Sequence, residues 1–455
     1  MKPIVIIGAV AAGMSAASQI KRELPEQEVI VFGKEEYISY GACGMPYYVS
    51  GELASHEKLL VLSKEKAVEK RNINVKTLHE VTGINRDKKK VSVKNLETGE
   101  SFEQEFEKLI LAMGAEPIVP PLEGIDQEGI FPLNELQDSI NISKFIEREK
   151  PKKAVVIGGG FIGIEVAESF TRRGMEVTLV EAARRILGVL DEEMSELVHK
   201  HMEEKGVKII AHDKVIGFEG DGKVKKVKLS SGEELEADIV LVSIGVTPRN
   251  RLAREVGLEM GERNAILTDR YQQTSCPDIY AAGDCSTVYH ALLEKNIYIP
   301  LALSANRQGR MCGENIAAEL NGRKPKPFPG IIGTSMTKVF DYEIGKTGIG
   351  DMECRQYQLK HVDSVFIKYV AKAGYYPKRS RIWVKLFFEA HSKKIVGAQI
   401  VGQDGSVLRL DVIVAAITAG LRLDDLYNMD MGYMPAFSPV WDPLLIAARA
   451  GMKEE

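Results

Sequence analysis

The chain has 455 residues, 44% of them hydrophobic and 27% charged, a length that suggests about three domains and a composition that excludes a disordered or fibrous chain. Its net charge of −4 gives no general attraction to nucleic acid or an anionic membrane. Five cysteines, at 43, 276, 285, 312 and 354, are odd in number, scattered and without a Cys-x-x-Cys pair, which excludes a disulfide framework or zinc knuckle and points to a reducing cytoplasm.

The first apolar run, Ile4 to Ile7, stops at Gly8, which is too short for a signal sequence; no run approaches the ~18 apolar residues of a membrane span. It reads as a strand, followed by the turn Gly8-Ala-Val-Ala-Ala-Gly13, a helix from Met14 to Leu24 and a second strand, Glu28 to Phe32. This is a βαβ start in which the first glycine serves the tight turn and the third the close packing of helix on strand, with Val10 at the middle position.

Next comes Ser39-Tyr-Gly-Ala-Cys43-Gly-Met-Pro-Tyr-Tyr48. We read Cys43 as a redox thiol. A free cysteine of pKa ~8.5 is only about 3% thiolate at pH 7, so such a residue needs an activating environment. Gly44 and Pro46 suit the opening of a helix, whose exposed amides favour negative charge. The alternative is a buried cysteine packed as a small hydrophobe.

The βαβ pattern recurs at Ala154-Val-Val-Ile-Gly158-Gly-Gly160-Phe-Ile-Gly163, with a helix to Arg173 and a strand, Glu176 to Val180, ending on Glu181. Here all three glycines are present. The acidic residue at the strand end can hydrogen-bond a ribose 2′-hydroxyl and repel a 2′-phosphate, so NADH is the expected coenzyme, while Arg184 and Arg185 leave NADPH open. Each copy continues into a polar hairpin, with tips at Thr98-Gly99 and Ser231-Gly232, and then an apolar strand ending in glycine and proline, at Gly114 to Pro117 and Gly245 to Pro248. Two nucleotide-binding domains of similar construction are expected. The lysines of 86–90 and 223–228 alternate with valine, as on solvated hairpin faces. After the linker Arg323 to Pro329, strands Ile382 to Phe388 and Ile395 to Val401 and a helix, Asp411 to Gly420, form an α+β domain without a glycine loop.

The segment Thr274-Ser-Cys-Pro-Asp-Ile-Tyr-Ala-Ala-Gly283-Asp284, joined to two glycine loops in this order, resembles the FAD-dependent pyridine nucleotide–disulfide oxidoreductases. The resemblance implies an α/β fold: two Rossmann-like domains, for FAD (residues 1–112 and 246–324) and NAD(P) (113–245), and a C-terminal α+β dimerisation domain (325–455). It implies cofactor contacts at Gly8, Ala11, Gly13, Lys34, Ala112, Gly114, Gly158, Gly160, Phe161, Ile162, Gly163, Glu181, Gly245, Gly283, Asp284 and Ala302. Phe161 resembles an aromatic that covers the flavin and swings aside for nicotinamide, and Asp284 one that binds the ribityl chain. Two positions depart from the family pattern: Gly33 stands where an acid is expected on the FAD ribose, with Glu35 close by, and Met113 replaces a threonine.

Within the family, disulfide-forming members carry a second cysteine where this chain has Tyr48. The resemblance therefore narrows to the single-cysteine subgroup of coenzyme A disulfide reductases, persulfide and polysulfide reductases, and NADH oxidases and peroxidases. Oxidases and peroxidases hold a histidine at the position of Ala11. Coenzyme A disulfide reductases lend tyrosines to the partner's active site from segments similar to Gly374-Tyr375-Tyr376-Pro377 and Tyr433-Met-Pro435-Ala-Phe437-Ser438. This implies catalytic roles for Tyr433 and for Tyr375 or Tyr376 in a homodimer with a shared site. Coenzyme A positions match at Ser15, Gln19, Arg22 and Ser39, while Ala42 replaces an asparagine; Lys70, Arg71, Lys378 and Arg379 read as solvated surface. The expected activity is electron transfer from NAD(P)H through FAD and Cys43 to coenzyme A disulfide, a persulfide or a polysulfide. Rivals are an NADH oxidase and a flavoprotein that passes electrons to a protein partner. No metal, nucleic acid or membrane is expected.

Overall fold

The computed structural model describes residues 2–377 and 379–453, so Lys378 lies outside the described residues. Three five-stranded sheets carry the architecture. The first is wholly parallel, in the order Ile279–Ala281, Lys108–Leu111, Ile4–Ile7, Val29–Phe32, Asn74–Lys76. A strand from beyond residue 275 thus completes the sheet begun at the N-terminus. Strand Ile4–Ile7 is central and buried along its length, with helix Ala11–Glu23 on one face and largely the hairpin strands around Val81, Val91 and Val93 on the other.

The second parallel sheet, Lys208–Ala211, Glu176–Glu181, Lys153–Ile157, Ile239–Val242, Ile130–Phe131, repeats the plan. The two glycine turns share one steric plan at their first and third glycines. Gly8 and Gly158 have φ of +114° and +101°, and a Cβ on either would lie 2.0 or 2.4 Å from the carbonyl oxygen of Ala112 or Ser243. A Cβ on Gly13 or Gly163 would lie 1.9 Å from the carbonyl of the first glycine of its loop. Helices Ala11–Glu23 and Phe161–Arg172 can therefore press onto their strands. At the middle position Gly160 has open space around its missing Cβ. That glycine keeps room for a ligand, whereas the outer two serve packing.

Between the sheets run two antiparallel crossing strands, Ala115–Pro117 and Val246–Pro248. The lysine-rich pieces lie on three-stranded hairpin sheets, where Lys90 pairs with Glu103 and Lys226 with Glu234. The third large sheet, Ser335–Val339, Tyr342–Gly348, Ile395–Gly402, Arg381–Glu389, Val362–Val370, is antiparallel and packs helices Leu410–Ala419 and Pro443–Met452 on an apolar face. Lys385 from this sheet, buried, meets Asp191 and Glu193 at 2.6 Å each and ties it to the second parallel domain. No helix among the described residues is long and apolar enough to cross a membrane.

Candidate active site

The glycine loops open on one cleft of about 1420 Å³. Gly8, Ala11, Lys34, Ala112, Gly114, Gly283, Asp284 and Ala302 line it together with Gly158, Gly160, Phe161, Ile162, Glu181 and Gly245, and Cys43 opens onto the same space. Gly13 and Gly163 do not line it, because their place is the helix–strand contact just described.

These residues fit a flavin dinucleotide on two counts. The Gly8 turn forms a cradle that a Cβ would fill, and the Asp284 carboxyl is raised to about 6 by burial with no cation to offset it, so it needs the hydroxyl donors of a ligand. The residues that would hold FAD are the Gly8 loop, Lys34, Gly283 and Asp284. At the second copy Glu181 is held ready: one oxygen accepts from the Gly159 amide at 2.6 Å and the other from the Ala183 amide at 2.7 Å. Its remaining lone pairs suit ribose hydroxyls. Gly33 has no counterpart to this acid, since a Cβ there would lie 2.9 Å from the Ala9 methyl. Glu35 lines the cleft instead and accepts from Tyr40 at 2.8 Å; burial and the neighbouring Glu135 raise it to about 7.

Cys43 lies in the turn Ala42–Gly44 that leads into helix Met45–Ser50, with Pro46 in the first helical turn, as the sequence suggests. Helix Phe161–Arg172 braces it from behind: Ser169 donates to the Pro46 carbonyl and Arg173 to the Val49 carbonyl, both at 2.9 Å. Within the chain itself, desolvation by the surrounding protein, then the carboxylates of Glu165 and Asp284, raise the Cys43 pKa. Glu165 belongs to the face of that helix which carries Phe161 and Ser169 at four-residue spacing; it lines the cleft and accepts from Thr337 of the third sheet. Burial raises it as well. The spacing from Phe161 marks this residue in the sequence, where only the aromatic was noted.

Tyr375 and Tyr433, far apart in sequence, come together with their hydroxyls 2.6 Å apart, both exposed. Neither they nor Tyr376 lines the cleft that holds Cys43 in the same chain. Arg409 fixes the second tyrosine loop by donating to Asp442 at 2.8 Å and the Phe437 carbonyl at 3.1 Å. Ser15, Gln19 and Arg22 lie on helix Ala11–Glu23. Ser15 donates to Asn306 at 2.7 Å, and Gln19, buried, accepts from Arg22 at 2.6 Å. Arg71, read as solvated surface, instead donates to Ser18 at 2.7 Å and so joins this polar face. Ser18, three residues from Ser15, and Asn306 are missed by the sequence reading. Ser39 acts through its backbone, donating to Ala9 and accepting from Val61 at 2.9 Å each. Among the described residues no group of three or more His, Cys, Asp or Glu could hold a metal ion.

Two family models match the chain: pyridine nucleotide-disulphide oxidoreductase over residues 2–309, and the dimerisation domain of the same group over 334–443. An NAD(P)H sulfur oxidoreductase (CoA-dependent) of Pyrococcus furiosus is 38% identical over 98% of both chains. An NADH oxidase of Methanocaldococcus jannaschii is 35% identical over 99% of this chain and 98% of the other. The crystal structure of an NAD-dependent persulfide reductase from A. fulgidus superposes with a TM-score of 0.93 at 36% identity, covering 99% of this chain and 83% of that one.

Proposed function

Since the chain belongs to the pyridine nucleotide-disulphide oxidoreductases, an NAD(P)H-dependent group with FAD, we propose that it reduces coenzyme A disulfide or a coenzyme A persulfide through Cys43. The observation that carries this reading is a solitary cysteine opening on the cleft that unites both glycine loops, with Tyr48 where a resolving thiol would stand. FAD, when bound, supplies the two-electron exchange between NAD(P)H and the cysteine. The Cys43 thiolate attacks one sulfur of the substrate, forming a mixed disulfide and expelling the other sulfur as a thiolate that takes up a proton. Cleavage of the mixed disulfide by two electrons and a proton returns the Cys43 thiolate and a second thiol; with the persulfide as substrate, one of the two products is hydrogen sulfide.

In a homodimer, the exposed pair Tyr375–Tyr433 of one subunit would approach Cys43 of its partner, and a tyrosine hydroxyl would donate to the departing thiolate. Phe437 cannot donate a proton and would pack there. The face of Ser15, Ser18, Gln19, Arg22 and Arg71 would hold the coenzyme A part of the substrate, Arg22 and Arg71 through charge-assisted bonds to phosphate. A second reading, NADH oxidase, rests on the relative of that name; Ala11 speaks against it.

Mass spectrometry of the protein as isolated tests the thiol, with an adduct of coenzyme A mass expected on Cys43. Cys43→Ser should abolish turnover of coenzyme A disulfide and persulfide while leaving flavin reduction by NADH intact in stopped-flow absorbance, because serine cannot pass through a mixed disulfide. Wild-type turnover in that variant would refute the thiol mechanism. Oxygen uptake stoichiometric with NADH, without added disulfide, would support the oxidase instead.

A further inference from the structure

Strand Glu176–Glu181 and helix Glu192–Glu204 are joined by a loop that begins on Glu181, whose free lone pairs suit ribose hydroxyls, and ends on Asp191. The loop closes on the second glycine turn from both sides. Glu181 accepts from the Gly159 amide at 2.6 Å, and the Leu187 amide donates to the Gly159 carbonyl at 2.7 Å. A Cβ on Gly159 would lie 2.7 Å from the Ile186 side chain, so the loop presses directly on the turn. A shift of Ile186 or Leu187 is thus passed to Gly159 and Glu181.

The far end of this loop is held by another domain. Asp191, 1% exposed, is gripped from the third large sheet by two buried residues that stand opposite each other on neighbouring strands, Lys385 and Gln399. Gln399 accepts from the Asp191 amide at 2.9 Å and donates to its Oδ1 at 3.0 Å. The Lys385 ammonium meets Asp191 Oδ2 at 2.6 Å, and also Glu193 at 2.6 Å and Asp351 at 3.2 Å. These two are the polar residues in the interior of otherwise apolar strands, Arg381–Glu389 and Ile395–Gly402. A buried ion pair is a costly way to join domains, because desolvation offsets the attraction. Nor does docking depend on it, since Glu168 already bonds Lys338 at 2.9 Å and the Phe340 amide at 2.8 Å at the edge of the same sheet. What the contacts at Asp191 add is a fixed end for the loop.

We propose that Lys385 and Gln399 are positioning residues for NAD(P)H: through Asp191, the dimerisation domain holds the loop that carries Glu181 in the arrangement that receives the coenzyme. Neither residue touches the coenzyme, and each acts only through the loop. The proposal rests on the second glycine loop as the coenzyme site.

The test separates coenzyme affinity from the chemistry that follows it. Lys385→Met keeps an unbranched side chain and removes the cation. Flavin reduction in the purified holoenzyme is followed by stopped-flow absorbance against NADH concentration. A loosened loop that spends about a third to a tenth of its time in the receptive arrangement raises the half-saturating NADH concentration about three- to tenfold. The limiting rate of flavin reduction and the flavin content should stay within about twofold of wild type, as when only binding is lost. Gln399→Leu removes the other two bonds to Asp191 and should raise half-saturation in the same way; it serves if Lys385→Met does not fold. An unchanged half-saturation in the folded variants, or a limiting rate or flavin content that falls as much as the affinity, would overturn the proposal. Flavin that NADH fails to reduce in the wild type at any concentration would instead overturn the assignment of the second glycine loop.

Discussion

Asp284→Asn should stabilise the protein stripped of its flavin while weakening its hold on that flavin. In the empty cleft burial raises this carboxyl from an ordinary 3.8 to about 6, with no cation to counter it. Folded chains therefore bind more protons than unfolded ones between those two values, and stability falls as pH rises through the window. A difference of about 2 in pKa at 1.36 kcal/mol each corresponds to about 3 kcal/mol; water entering the cleft lowers that, so it is an upper value. Asparagine has no charge to bury. Urea unfolding of the apoproteins should show the variant more stable at pH 7 by up to about 3 kcal/mol, the gain shrinking between pH 6 and 4 and absent at pH 4. Meanwhile the variant should purify with little FAD, because an acceptor for the ribityl hydroxyls is lost. A gain that is equal at pH 4 and pH 7, or no gain at all, would refute the electrostatic argument. Full flavin content would refute the role of Asp284.

Two further outcomes follow from the same cleft. Glu165→Gln removes the first carboxylate that acts on Cys43, though not the desolvation that leads the upward shift, so the pH profile for alkylation of Cys43 by iodoacetamide should move to lower pH; an unmoved profile would show that Glu165 does not sense the thiol. Glu181 should make NADH the better coenzyme in initial rates, because its carboxylate repels a 2′-phosphate, but Arg184, which makes an exposed contact of 3.7 Å to Glu192, should leave measurable activity with NADPH. A clear preference for NADPH would overturn that assignment.

Legibility in the sequence followed the range over which each signal acts. Strands such as Lys153–Ile157 and turns such as Gly158 to Gly163 are determined by neighbours within a dozen residues, and their ends fell within a residue or three of the structure. The helix after the first glycine loop opens at Ala11 rather than Met14, since nothing in Ala-Ala-Gly marks its start locally. The lysine hairpins were legible because alternation with valine allows only a half-exposed strand.

What could not be read was charge brought in from a distance. The helix that opens beside Cys43 suggested a lowered pKa, yet the carboxylates that act on this thiol sit at 165 and 284, on another domain's helix and on a strand end far along the chain. A helix terminus contributes about half a charge, and this helix has only six residues; the two carboxylates act against it. The same reasoning explains Arg71, whose place in a solvated-looking helix gave no hint of Ser18. In the proposed homodimer, the donor hydroxyls of a second subunit's Tyr375–Tyr433 pair and the cationic face of Arg22 and Arg71 would offset the upward shift and favour the Cys43 thiolate. On that proposal, alkylation of Cys43 by iodoacetamide would be slower in a monomer than in the dimer, and equal rates would refute it.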